Sequence, residues 1–95
     1  MGNYELTVVL SGKATAAKIK SVKEKIDKFI STFKGKINKV EEWGKIDLAY
    51  KIKGNGSGNF LHYNIELEPG NIKNFNDKIK MEDEIIRHLL IKKLT

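Results

Sequence analysis

Apolar and polar residues alternate through Ile46, Leu48 and Tyr50, with Asp47 and Ala49 between them. That period of two predicts a β-strand with unequal faces, which we extend over residues 36–53. Gly44 interrupts it directly after Trp43, and a glycine inside a strand marks a bulge or a close backbone approach. The same period recurs twice. Tyr4, Leu6, Val8 and Leu10 share one face of a strand over residues 3–10, and Leu61, Tyr63, Ile65 and Leu67 share one face of a strand over residues 59–68. Ile19, Val22, Ile26, Phe29, Ile30 and Phe33 instead fall at helical spacing, with lysines filling most of the opposite face. Thr15 suits the N-cap of that helix and Gly35 its C′ position. Residues 54–58, Gly-Asn-Gly-Ser-Gly, predict a flexible hairpin connection. Pro69-Gly70-Asn71 turns the chain into a short second helix striped by Ile72, Phe75 and Ile79, and a fourth strand follows over residues 85–93.

The order β-α-β-β-α-β predicts the α+β class and a ferredoxin-like fold, a four-stranded antiparallel sheet with two helices on one face. Ninety-five residues suit one domain, 1–95. No helix remains for the opposite face, where Val9, Phe60 and His62 should show. On the fourth strand Ile86 and Leu90 have one parity and Ile85, Leu89 and Ile91 the other, so one set must face outward. An uncovered apolar face of this kind suggests a protein or RNA partner. Trp43 either anchors a partner or folds over the edge of its own sheet. The candidate interface residues are therefore Trp43, Val9, Phe60, His62, Leu89 and Ile91.

Composition narrows the chemistry. There are no cysteines, which excludes disulfides and thiolate metal sites. No apolar run is long enough for a secretory leader or a membrane span, so a cytoplasmic protein without membrane contact is expected. The net charge of +6 favours a nucleic acid or another anionic surface. Arg87 is the single arginine among 18 cationic residues. Lysine against phosphate holds position and weakens with salt, whereas base readout favours the arginine fork.

Catalytic and cofactor chemistry is not expected. Gly54-x-Gly56-x-Gly58 lies between two strands rather than ahead of a helix, where a phosphate cradle would need it. His62 and His88 lack the companions of a metal site. The clusters Glu41-Glu42 and Glu82-Asp83-Glu84 sit at turns and edges, where carboxylates are solvated. No metal, cofactor or small-molecule substrate is implied.

Several short pieces then line up in order: Tyr4-Glu5, Val8-Val9-Leu10, Lys39-Val40-Glu41-Glu42 with Gly44, Leu48-Ala49-Tyr50-x-Ile52, Gly58-x-Phe60-Leu61-x-Tyr63, and Arg87-x-x-x-x-Lys92. Over about residues 3–93 the chain resembles the family of protein six of the bacterial small ribosomal subunit. The resemblance implies the same fold and a non-catalytic role in the cytoplasmic ribosome. That role is binding the central domain of small-subunit (16S) ribosomal RNA, in the platform, as a heterodimer with ribosomal protein eighteen. It also implies RNA contacts from Arg87 and Lys92, and secondarily from Lys51 and Lys53. His88 stands where an aliphatic residue is usual in that family.

Two other readings fit the same fold. An independent single-strand RNA binder would stack bases on sheet aromatics; Phe60 is one platform, but the first strand offers no second ring. A small acylphosphatase-like hydrolase would want an arginine in the first strand-to-helix turn, and Ser11-Gly12-Lys13 has none.

Overall fold

A computed structural model describes residues 2–93. β1 (Gly2–Ser11) leads through a short turn into α1 (Ala16–Thr32), and β2 (Lys36–Ile52) and β3 (Asn55–Leu67) follow. A single 3₁₀ turn, Pro69–Asn71, precedes α2 (Ile72–Lys80), and β4 (Ile85–Lys92) closes the order. The sheet runs β2-β3-β1-β4, and every neighbouring pair is antiparallel. This is the ferredoxin-like arrangement the pattern predicts.

Alternation decides which side chains the helices cover. Tyr4, Leu6, Val8 and Leu10 pair with Ile65, Tyr63, Leu61 and Asn59 across the β1–β3 ladder. The four β1 side chains are buried, as are Leu61, Tyr63, Ile65 and Leu67. Val22, Ile26 and Ile30, spaced by fours, come down on them from α1, and Phe75 and Ile79 from α2. Phe33 meets Phe75 edge to face at 6.3 Å. Each such apolar side chain removed from water contributes roughly 1.5–3 kcal/mol. Among the described residues the Tyr63 hydroxyl has no hydrogen-bond partner in this layer, and burial, followed by the charges of Asp27 and Glu42, pushes its pKa far up.

The termini of α1 show both agreement and correction. The Thr15 hydroxyl accepts from the Lys18 amide at 3.2 Å, as an N-cap should. Gly35 is not the left-handed residue; Lys34 is, at φ 57°. The Gly35 amide then donates to the Ile30 carbonyl at 2.8 Å, closing a Schellman-type end one residue earlier than expected. Gly35 is required for a different reason. A β-carbon there would stand 2.5 Å from Leu67 Cδ2 and 2.6 Å from the Glu66 carbonyl oxygen.

Two further expectations change. The hairpin turn is not the five-residue run at 54–58 but the pair Lys53-Gly54, at φ 48° and 82°, with Ile52 opposite Asn55. Two left-handed residues match the twist of the flanking strands, so β3 begins at Asn55 and includes the glycines. On β4 the register shifts between the pairs Val9–Arg87 and Leu10–Ile85, which leaves Ile86 as an extra residue. The bulge places Ile85 in the core beside Leu10, not outward with Leu89 and Ile91.

Candidate protein and RNA interface

The face away from the helices is built in cross-strand rows. Val9 pairs with Phe60 and Arg87, Thr7 with His62 and Leu89, and Glu5 with Asn64 and Ile91. Gly44 stands opposite Phe60 and Glu41 opposite His62. All six predicted interface residues reach this face, but to different depths. Leu89 and Ile91 are 57% and 48% exposed, whereas Val9 is only 5% exposed. Val9 sinks because Gly58 presents no side chain: a β-carbon on Gly58 would come 2.5 Å from Val9 Cγ1.

Of its two sequence alternatives, Trp43 shows the fold-over onto its own sheet. It is the extra residue of a β2 bulge between the pairs Glu42–Leu61 and Gly44–Phe60, and Gly44 adopts φ 80° to permit it. The bulge turns the indole back over the sheet. It stacks on His62 at 4.7 Å and 11°, and lies near-parallel to Phe60 at 6.5 Å. Beneath it the Thr7 hydroxyl and His62 Nδ1 are hydrogen-bonded at 3.0 Å, and Glu5 Oε1 approaches Nε2 at 4.0 Å. About half of the indole still faces solvent.

Beyond this stack β2 leaves the ladder. Leu48 to Lys51 intervene between the pairs Asp47–Ser57 and Ile52–Asn55, so four residues of β2 face Gly56 alone. The resulting arm is fastened at its base. Ser11 Oγ donates to Asn55 Oδ1 at 2.7 Å, and the Gly12 amide donates to the Ser57 carbonyl at 3.0 Å. Asn55 Nδ2 donates to the carbonyls of Ile52 and Lys53. Between arm and sheet lies a groove of about 360 Å³, walled by Leu48, Tyr50 and Ile52 on one side and Val9, Phe60 and Leu89 on the other, with Arg87 at its rim.

The RNA candidates separate. Arg87 borders the groove, and Lys51 and Lys53 belong to the arm that forms it. Lys92 pairs with Tyr4 and so points to the helix side, away from Arg87. Among the described residues none of Arg87, Lys51 and Lys53 has a carboxylate within ion-pair distance, whereas Lys18, Lys23, Lys25 and Lys39 do. Tyr50, 84% exposed on the arm, is absent from the sequence candidates. Its alternation with Leu48 was visible, but not the fold-over that makes both into a wall.

The two histidines have structural roles. His88 faces the helices, where its Nε2 donates to Asn76 Oδ1 of α2 at 2.6 Å. Burial, then the charge of Lys80, lowers its pKa. Among the described residues no group of three or more ligating side chains could hold a metal ion, and no helix is long and apolar enough to cross a membrane.

The family model for ribosomal protein S6 matches residues 3–92. The chain belongs to the ribosomal protein S6 family. Members are structural proteins of the small ribosomal subunit and not enzymes. The chain is 32% identical over 89 residues to small ribosomal subunit protein bS6 of Dehalococcoides mccartyi, covering 94% of this chain and 82% of that one. It is 34% identical over 90 residues to bS6 of Pelagibacter ubique, covering 95% and 71%. The crystal structure of 30S ribosomal protein S6 from Thermotoga maritima superposes with a TM-score of 0.90 at 25% identity, over 97% of this chain and 87% of that one.

Proposed function

We propose that this S6-family chain binds the central domain of small-subunit (16S) ribosomal RNA in the platform, as a heterodimer with ribosomal protein eighteen. The observation that carries the reading is the division of the uncovered face. Trp43, Phe60, His62, Leu89 and Ile91 form a largely apolar surface over the buried Val9. Arg87, Lys51 and Lys53, without acid partners among the described residues, gather toward the arm. An apolar surface with an aromatic anchor suits a protein partner. Lysines and one arginine suit phosphates, whose contacts fix position and carry most of the salt dependence. Lys92, on the other side of β4, would reach RNA only where the transcript wraps that edge. The protein works in the cytoplasmic ribosome.

The test is the affinity of the protein for a central-domain transcript with and without protein eighteen. Binding that strengthens when the partner is added is expected. Equal affinity in both cases would remove the heterodimer from the reading. A tagged copy should also retain protein eighteen from a ribonuclease-treated lysate.

A further inference from the structure

We infer that Glu5 is the receptor for one basic side chain of the protein partner, so that docking on the open face requires an arginine or lysine set between the Trp43–His62 stack and Ile91. This rests on the proposed heterodimer and adds to it the contact that selects the partner.

Three observations point to a cation. The first is position. β1 is an inner strand, with β3 on one side and β4 on the other. On the open face Glu5 pairs with Asn64 of β3 and Ile91 of β4, next to the Thr7–His62–Leu89 row that carries the Trp43 indole on its β3 side. A partner that covers Trp43, Leu89 and Ile91 therefore covers Glu5 as well. The second is the missing counter-charge. Lys18, Lys23, Lys25 and Lys39 pair with Glu84, Glu42, Glu82 and Glu41, but among the described residues no lysine or arginine comes within ion-pair distance of Glu5. The group that does is His62, with Nε2 at 4.0 Å; it is charged only when protonated, and its Nδ1 is already engaged by Thr7. The third is Asn64. Its Oδ1 is buried and, among the described residues, accepts no hydrogen bond. One row thus holds two acceptors that the chain itself leaves without a donor.

In the free chain the Glu5 side chain is 40% exposed, enough for water to solvate the carboxylate. An apolar partner surface would strip that water and give nothing back, and an unpaired covered charge is costly. A basic side chain offsets the loss, and a partner without one is rejected. Arginine and lysine head groups carry donors and no acceptor, so the same group can also serve Asn64 once its amide turns toward the surface. Lys39, across from Asn64, is paired with Glu41 at 3.5 Å. A phosphate would meet a like charge at Glu5. That separates this end of the face from the arm end, where Arg87 stands without an acid among the described residues.

The experiment titrates the full chain with purified protein eighteen and follows association and dissociation separately. Glu5→Gln keeps the shape and removes the charge. It should weaken binding roughly thirtyfold or more, chiefly through faster dissociation, as loss of one member of a covered charge pair does. Urea unfolding of the same variant should match the native chain, which separates recognition from folding. Each arginine and lysine of protein eighteen is then changed to glutamine in turn and combined with Glu5→Gln. One position should be coupled to Glu5 by roughly tenfold or more, its loss mattering little once the carboxylate is gone. Binding of Glu5→Gln as tight as that of the native chain overturns the receptor and leaves the heterodimer standing. Slower association with unchanged dissociation does the same, since Glu5 would then steer the partner without touching it. So does additivity at every basic position. A native chain that fails to bind protein eighteen overturns the heterodimer, and the receptor falls with it.

Discussion

One sheet presents two faces made from the same strands, and they are finished by different means. On the covered face Leu6, Val8, Tyr63 and Ile65 meet Val22, Ile26, Phe75 and Ile79, all essentially without solvent contact. On the open face Val9 is buried by a neighbouring glycine and His62 is capped by Trp43, while Leu89 and Ile91 stay exposed. The covered face closes by packing between elements. The open face closes at the Trp43 bulge, along the arm, and where Gly58 leaves room for Val9. Regular alternation therefore accounts for stability here, and departures from it shape the open surface.

The contrast is broken most severely at Phe75. Phe75→Ala should cost about 3–5 kcal/mol in urea unfolding, whereas Leu89→Ala should stay within about 0.5 kcal/mol and act on partner binding instead. Equal costs would mean that the open face belongs to the core. Gly35→Ala comes next, at about 1–3 kcal/mol, because the new methyl meets Leu67 and the Glu66 carbonyl, and backbone must shift to admit it. An unchanged unfolding midpoint would show that the chain at Gly35 shifts away from Leu67 and Glu66 without cost. Tyr63→Phe removes a buried hydroxyl without a partner and should be neutral or stabilising by up to about 1 kcal/mol. A clear loss would reveal a hydrogen bond to that oxygen, through water for instance.

The last test is one of pH. The folded-state pKa of His88 lies below its ordinary value of 6.5, since burial and Lys80 both disfavour the charged ring. Asn76 accepts its Nε2–H from α2. Above 6.5 neither the folded nor the unfolded chain holds the proton. As pH falls below 6.5 the unfolded chain takes it up first, so stability present at neutral pH is lost toward the lower folded value. Unfolding midpoints measured across that window should fall for the native protein and fall less for His88→Gln. Parallel curves would assign the acid sensitivity elsewhere.

Most of the fold was readable because its signals are periodic. The stripes Tyr4-Leu6-Val8-Leu10 and Val22-Ile26-Ile30 each report one buried face, and Thr15 is a cap by its chemistry. What the pattern misplaced depends on single residues outside any period. Lys34 rather than Gly35 turns left-handed, because the glycine is needed one position later for close packing. Ile86 slips β4 by one, and that moved Ile85 from the open face to the core. In the interface, parity placed Val9, Phe60 and His62 on the correct side but could not report depth, which Gly58 and Trp43 decide. Arg87 and Lys92 stood together as a motif, yet five positions along a strand put them on opposite faces. The groove was not legible at all, since nothing in the composition of residues 48–51 announces that they leave the ladder.

The place of β4 beside β1 bears on how the protein is made. Tyr4 pairs with Lys92, and the Lys93 amide donates to the Asn3 carbonyl at 2.8 Å, so strands from opposite ends of the sequence are neighbours. During synthesis β1, α1, β2 and β3 can assemble first, but one edge of β1 stays unpaired until β4 has been translated. Pairing over so long a loop is slow relative to local contacts. Leu89, Ile91 and Arg87 arrive with that final strand. A nascent chain therefore has neither its complete open face nor its groove until the sheet is finished, because the last strand to be translated supplies part of both.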